Sequence, residues 1–345
     1  MRSILVCEAQ VPFVRGGAEF HVRELVRQLI LHGYEAELVS VPFKWYPKSE
    51  ILAHAAAWRL LDLSESNGRT IDLVIATKFP TYFVRHETKV AWLIHQYRAA
   101  YELAGTPYSD FQHTDEDVAL RQKLITLDTA MLGECRRLFA NSANTANRVA
   151  RYNGVAATPL YHPPRLASRL HSGPLGAYVL SVSRLESVKR IDLAIRAMSH
   201  LPPDLSLIVA GHGTERSNLE ALAESIGVSS RVTFAGEVSD DQLIDLYANA
   251  LAVIFPPYDE DFGYVTLEAF LSGKPVVTTI DAGGPNEFVV DSENGYVTAP
   301  EPGAIASAAG VLHADRRHAR ALGAAGRERA QAITWAGVVE RLVTP

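Results

Sequence analysis

The stretch DEDFGYVTLEAF, residues 259–270, sets three consecutive carboxylates before a Phe-Gly-Tyr turn and a fourth, Glu268, inside an apolar run. A charge on the packing side of a helix is costly without partners, and the vicinal hydroxyls of a ribose would serve. Helical periodicity places Tyr264, Leu267, Phe270 and Leu271 on the stripe that packs down. It places Glu268 with Val265, Ala269 and Ser272 on a face of small residues. Glu260, in the loop ahead of the helix, can reach the hydroxyls of a sugar. Between the two carboxylates lie the first N–H groups of the helix, at Phe262, Gly263 and Tyr264, where the helix dipole favours a phosphate. Asp259–Glu260–Asp261 also spells the DxD of metal-dependent nucleotide-sugar sites, but that pattern suits a single-domain architecture and leaves Glu268 unexplained. Acidic residues ahead of a helix are favourable in themselves, which accounts for the loop and again not for Glu268.

Cations and glycines complete the set. In SVSRLESVKRIDLAIRA, Arg184 follows a strand-like run and Lys189 stands at the start of a helix; a planar fork and a point charge together suit a diphosphate. Gly16 and Gly17, in VRGGAE, precede a helix and let the backbone approach a ligand closely. The loop lacks the third glycine of a dinucleotide fingerprint, and no acidic residue ends the second strand, so a nicotinamide dinucleotide is disfavoured. Gly283 and Gly284, in TIDAGGPNE, repeat the device after a later strand, and His95 ends the run KVAWLIH.

The elements that must position these residues follow from periodicity. SILVCE, a helix with Val22, Leu25, Val26, Leu29 and Ile30 at helical spacing, and EAELVSV form one βαβ unit. DLVIATK (72–78), KVAWLIHQ (89–96) and RLFANS (137–142) read as further strands, with a long polar, helical segment over roughly 97–135. Residues 157–176 hold four prolines and little periodicity. Beyond them short apolar strands and amphipathic helices alternate strictly, which implies a parallel, doubly wound sheet. The reading is α/β with two Rossmann-like domains. Domain boundaries are expected at 1–160, a linker at 161–176, a second domain at 177–332 and a final helix over 333–345. Such sheets bind ligands beyond the carboxyl ends of their strands, which is where every residue named above falls.

A length of 345 residues is consistent with two domains. The net charge of −6 argues against nucleic acid as a partner. It is uneven, +1 over residues 1–160 and −7 over the remainder. Two cysteines without a CxxC pair indicate neither a disulfide framework nor a cysteine zinc site. No apolar run approaches the length of a membrane span. These features point to a cytoplasmic protein and are compatible with peripheral contact at the inner face of a membrane.

Taken together, the motifs resemble those of the family four glycosyltransferases, a large retaining group with the GT-B fold, over nearly the whole chain. The resemblance rests on Glu260 and Glu268 in EDFGYVTLEAFLSGKPVV, Arg184 and Lys189 in SRLESVKR, and Gly16 with Gly17. His95, AGGPNE with NGYV, AGHGTERSNLEAL and the final TWAGVVERL complete it. Asp261 stands where the family commonly has proline, and Gln96 follows His95 where aspartate is common. The resemblance implies an interdomain cleft, a C-terminal helix crossing back to the N-domain and a nucleotide-diphosphate sugar on the C-domain. It implies that Glu268 holds the ribose, that Arg184, Lys189 and the helix start neutralise the diphosphate without a metal or other cofactor, and that Glu260 and His95 orient the sugar. The acceptor, a glycan or lipid-linked glycan, is expected on the N-domain, where PFKWYPK (42–48), FPTYFVRH (79–86) and HQYRAAYEL (95–103) combine aromatic and basic residues. The implied setting is synthesis of cell-surface polysaccharide or glycoconjugate. A nucleotide-sugar epimerase on the same scaffold, or a silent nucleotide-sugar-binding scaffold protein, are the rival readings. The second predicts lost charge at Arg184, Lys189 or Glu260, all of which are present.

Overall fold

A computed structural model of the chain describes residues 2–13 and 16–344. The chain divides into two units, Met1–Arg165 with Thr334–Pro345, and Leu166–Ile333. The first unit comprises β1 (Ser3–Gln10), α1 (Gly17–Leu31), β2 (Glu35–Pro42), α2 (Ser49–Leu60), a small hairpin of β3 (Glu65–Ser66) and β4 (Arg69–Thr70), β5 (Leu73–Lys78) and β6 (Lys89–His95). It continues through α3 (Asp115–Gly133), β7 (Arg137–Ala140), α4 (Ala143–Asn153) and β8 (Thr158–Pro159). Its sheet runs β2-β1-β5-β6-β7-β8, parallel throughout. Every residue of β5 is buried, as expected for a strand covered on both faces. One face packs on Val22, Leu25 and Leu29 of α1, the other on Trp58, Tyr82, Phe111 and Leu124.

The second unit comprises β9 (Tyr178–Val182), α5 (Ile191–Ala197), β10 (Ser206–Ala210), α6 (Arg216–Ser225), β11 (Val232–Gly236), α7 (Asp240–Asn249) and β12 (Ala252–Ile254). It ends with α8 (Tyr264–Leu271), β13 (Val276–Thr279), β14 (Gly295–Thr298), α9 (Pro302–Ala314) and α10 (Arg316–Gln331). Its parallel sheet runs β11-β10-β9-β12-β13-β14. Strand order therefore reverses at β9, which lies between β10 and β12. The loops after β9 and β12 leave the sheet in the crevice that this switch point opens.

Helix boundaries follow local chemistry. Ser142 accepts from the Thr145 amide to start α4, and Gly154 ends it in the left-handed conformation. Ser239 and Gln242 form a capping box at α7. The expected helical segment after β6 is a helix only from Asp115. Residues 97–114 form a short 3-10 turn, then turns and irregular backbone around Gly105 and Pro107. The last helix, α11 (Trp335–Val343), belongs to the first unit, as the closing-helix motif implied. Its Val338, Val339, Leu342 and Val343 bury against the α1 face of the core. Each such side chain contributes about 1.5–3 kcal/mol on burial. Arg137 donates to the last carbonyls of the helix, Arg341 O at 2.7 Å and Leu342 O at 2.8 Å. Among the described residues no helix is long and apolar enough to cross a membrane.

Candidate active site

In the second unit three loops leave neighbouring strands at the switch point: residues 183–190 after β9, 255–263 after β12 and 280–284 after β13. Lys189 closes a one-turn 3-10 helix and forms a salt bridge with Glu260, 71 positions later, so the structure brings these two predicted residues together. Their side chains are only 12% and 17% exposed, shielded enough for the pairing to hold both in place. Arg184 lies in the same loop, half-exposed, and pairs with Glu186 at 2.7 Å; the structure does not bring it onto Lys189.

The loops carrying Glu260 and Gly284 are joined backbone to backbone. The Glu260 amide donates to Ala282 O at 2.8 Å, and the Gly284 amide donates to Glu260 O at 2.7 Å. This approach needs glycine: a Cβ on Gly284 would stand 2.8 Å from the carbonyl oxygens of Asp261 and Phe262. Gly263, which caps α8 at φ +82°, would meet Pro285 Cγ at 2.9 Å in the same way. Gly283 precedes the 284–287 turn at φ +75°. Phe262 is buried, its ring edge-on to Phe288 at 5.5 Å and to Tyr264 at 5.2 Å. The packed ring holds the first turn of α8 against the 283–288 segment.

Glu268 differs from expectation in its surroundings. Helix α8 is buried almost all round, at Val265, Thr266, Leu267, Ala269, Phe270 and Leu271. Only Tyr264 and Glu268, four positions apart, are half-buried, so they share the accessible face and Tyr264 is not on the packing stripe. The partner a carboxylate there requires comes in part from α7, where the Tyr247 hydroxyl donates to Glu268 Oε2 at 2.8 Å. Burial, and then the charge of Glu268, push that hydroxyl well above its usual range, so Tyr247 stays a donor. Tyr247 carries no signal in the sequence beyond being an apolar-face aromatic.

Arg190 was equally unmarked. It sits at φ +49° and ψ +43°, a left-handed conformation that costs a side chain about 1 kcal/mol or more. Its guanidinium pairs with both oxygens of Asp281, Nη1 at 2.8 Å and Nη2 at 2.7 Å, and donates to Pro256 O, Pro257 O and Thr279 Oγ1. Burial raises the Asp281 carboxyl, but the hydrogen bond and charge of Arg190 bring it below its ordinary range.

In the first unit Gly16 and His95 lie at the carboxyl edge of the sheet. Gly16 caps α1, and its amide donates to Glu19 Oε2 at 3.0 Å, while Gly17 is exposed. Glu19 Oε1 accepts from Lys78 Nζ at 2.8 Å, in a pair only 8% exposed on either side. The Gly16 amide is thus engaged by the chain's own carboxylate. Burial pushes Glu19 up, and Lys78 with the backbone amides brings it below the usual range. Lys78, the last residue of β5, lies opposite His95 in the β5–β6 register. His95 is half-buried, with Nδ1 2.7 Å from the carbonyl oxygen of Gln96. A carbonyl oxygen only accepts, so that contact puts a proton on Nδ1. Gln96 itself is wholly buried and donates to Asn153, so it faces the interior.

Residues 174–329 match the family model described as glycosyl transferases group 1. The chain is 29% identical to a D-inositol 3-phosphate glycosyltransferase of Nocardia farcinica over 281 residues, which cover 74% of this chain and 62% of the relative. The chain thus spans less than two thirds of that relative's length. Its fold is similar to that of sucrose-phosphate synthase from Thermosynechococcus elongatus, with a TM-score of 0.74 at 20% identity over 99% of this chain and 97% of the other. It is similar as well to HepE of Anabaena in complex with UDP-glucose, with a TM-score of 0.72 at 18% identity over 98% of both chains. Residues 174–329, which hold the paired Lys189 and Glu260 at the switch point, are thus similar to the glycosyl transferases, group 1, and the fold of the chain is GT-B.

Proposed function

We propose that the chain transfers a sugar, with retention of configuration and without a metal, from a nucleotide-diphosphate sugar to a glycan or lipid-linked acceptor. The setting we assign is the assembly of cell-surface polysaccharide or glycoconjugate. The observation that carries this reading is the Lys189–Glu260 pair above the glycine-lined contact of Gly263 and Gly284. A cation for phosphate and a carboxylate for sugar hydroxyls then stand side by side. Glu268, held by Tyr247, takes the ribose. The start of α8 at Phe262, Gly263 and Tyr264, with Gly283 and Gly284, receives the diphosphate, and Lys189 and Arg184 offset the charge that develops as it leaves. Glu260 accepts from donor-sugar hydroxyls. The N-terminal unit takes the acceptor. In the step itself the bond from the anomeric carbon to the β-phosphate oxygen breaks and a bond to the acceptor oxygen forms on the same face. The departing phosphate oxygen takes the acceptor proton.

A UDP-sugar is the first donor to try, because HepE is complexed with UDP-glucose. Thermal shift with UDP, GDP, ADP and dTDP, each with and without Mg²⁺, tests the binding half. A diphosphate at about 100 times its Kd stabilises by about 2.7 kcal/mol. Slow release of free sugar from the matching donor tests the chemical half. Lys189→Ala is expected to cut that rate about a hundredfold while changing nucleotide affinity much less. Absence of any shift, or full activity in Lys189→Ala, overturns the reading.

A further inference from the structure

Glycine adopts the backbone found at Arg190 at no steric cost, so an arginine there is unfavourable unless its side chain returns more than the backbone loses. The structure shows what it returns. Strand β12 runs into Pro256 and Pro257, which bring no N–H, so the sheet ladder stops there. Arg190 takes over where the ladder ends. Nε donates to Pro256 O at 2.8 Å and Nη2 to Pro257 O at 2.7 Å, and the same plane of donors holds Thr279, the last residue of β13, and both oxygens of Asp281 beyond it. From that anchor a row of backbone bonds continues. The Tyr258 amide donates to Val188 O, Asp259 to Asp281 O, Glu260 to Ala282 O and Gly284 to Glu260 O, all at 2.7–2.9 Å.

We infer that Arg190 is a positioning residue: it latches the loops after β12 and β13 to the loop after β9, and so sets Glu260 and the Gly283–Gly284 turn against Lys189. A lysine would not replace it, because a single ammonium cannot hold a carboxylate fork, two carbonyls and a hydroxyl at once. The consequence for the donor rests on the proposed transferase function. The latch itself does not.

Two variants of the full chain separate the roles. Arg190→Gly relaxes the backbone and removes the latch; Arg190→Lys keeps the backbone and removes the fork. In the ligand-free protein, hydrogen exchange at the amides of Asp259, Glu260 and Gly284 is expected to quicken about tenfold or more in both variants. The Leu207 and Val209 amides within β10 are expected to stay as they were. UDP, or whichever diphosphate shifts the wild type, is expected to bind about tenfold more weakly to both. Unchanged exchange in Arg190→Gly overturns the inference. So does quickening that extends to β10, which would mark a merely structural role, or local quickening with affinity intact. Local quickening in a protein whose wild type binds no diphosphate supports the latch and overturns the transferase reading instead.

Discussion

Asp128→Asn probes the polar network behind His95, and its effect on stability has a sign and a size. Asp128 is wholly buried on α3, where the Tyr101 hydroxyl donates to Oδ2 at 2.6 Å. Burial, against that hydrogen bond, lifts its carboxyl from 3.8 to about 7. Between those values the folded state holds a proton that the unfolded state does not. The group's contribution is therefore full below pH 3.8 and is lost as the pH rises through 7. On going from pH 7 to 5 it stabilises by about 2 kcal/mol, at about 1.4 kcal/mol per unit. His162 opposes it. Burial lowers its imidazole from 6.5 to about 3, so its contribution is present above 6.5 and is lost as the pH falls towards 3. By pH 5 that loss is about 2 kcal/mol. His21, with its ring 4.3 Å from that of His162, is pushed well down by burial and adds to the loss. In the wild type the aspartate offsets one histidine, and Asp128→Asn removes that offset. The variant is expected to fall further behind the wild type by about 2 kcal/mol at pH 5 than at pH 7. All four tryptophans, Trp45, Trp58, Trp92 and Trp335, lie in the N-terminal unit, so tryptophan fluorescence during urea unfolding reports that unit. A difference between variant and wild type that is the same at both pH values refutes the reasoning.

Glu268→Ala is expected to weaken nucleotide binding while leaving the rate at saturating donor largely intact. Tyr247→Phe, which removes the donor to Glu268, should weaken binding by about 1 kcal/mol. Calorimetric titration of both single variants and the double should show coupling of more than about 0.5 kcal/mol, and strict additivity would mean that Tyr247 does not act through Glu268. Gly284→Ala places a methyl 2.8 Å from two backbone oxygens of the 261–262 segment. Backbone cannot yield as a side-chain end does, so diphosphate affinity should drop about tenfold or more with the fold retained by circular dichroism. Wild-type affinity in this variant would show that the two loops need not touch.

Much of the fold was legible because alternation of apolar strands with amphipathic helices is a local pattern. The helix of Val22, Leu25 and Leu29 and the strands around Val74, Leu93, Val179 and Val209 lie where their periodicity placed them. The face of Glu268 was misjudged because α8 is covered on nearly all sides, and an apolar helix without a polar face gives periodicity nothing to measure. Arg190, Tyr247, Glu19 and Lys78 were missed for another reason. An arginine in a loop, a tyrosine in a helix or a lysine ending a strand is ordinary in sequence, and only its partner makes it informative.

By itself the sequence determined that strands and helices alternate, that glycines and charges gather at strand ends, and that Glu260 and Glu268 bracket a helix start. These properties are set by neighbours within a few turns of chain. Tertiary structure alone decided which of those ends meet. Strand order β11-β10-β9-β12-β13-β14 puts the loops after β9, β12 and β13 side by side. It thereby joins Lys189 to Glu260 and Arg190 to Asp281 across 71 and 91 positions. The Glu19–Lys78 pair spans 59 positions in the other unit. Likewise α11 follows the whole second unit in sequence and completes the core of the first. Strand order follows from how crossover helices pack over a twisted sheet, and no local pattern of residue types records it.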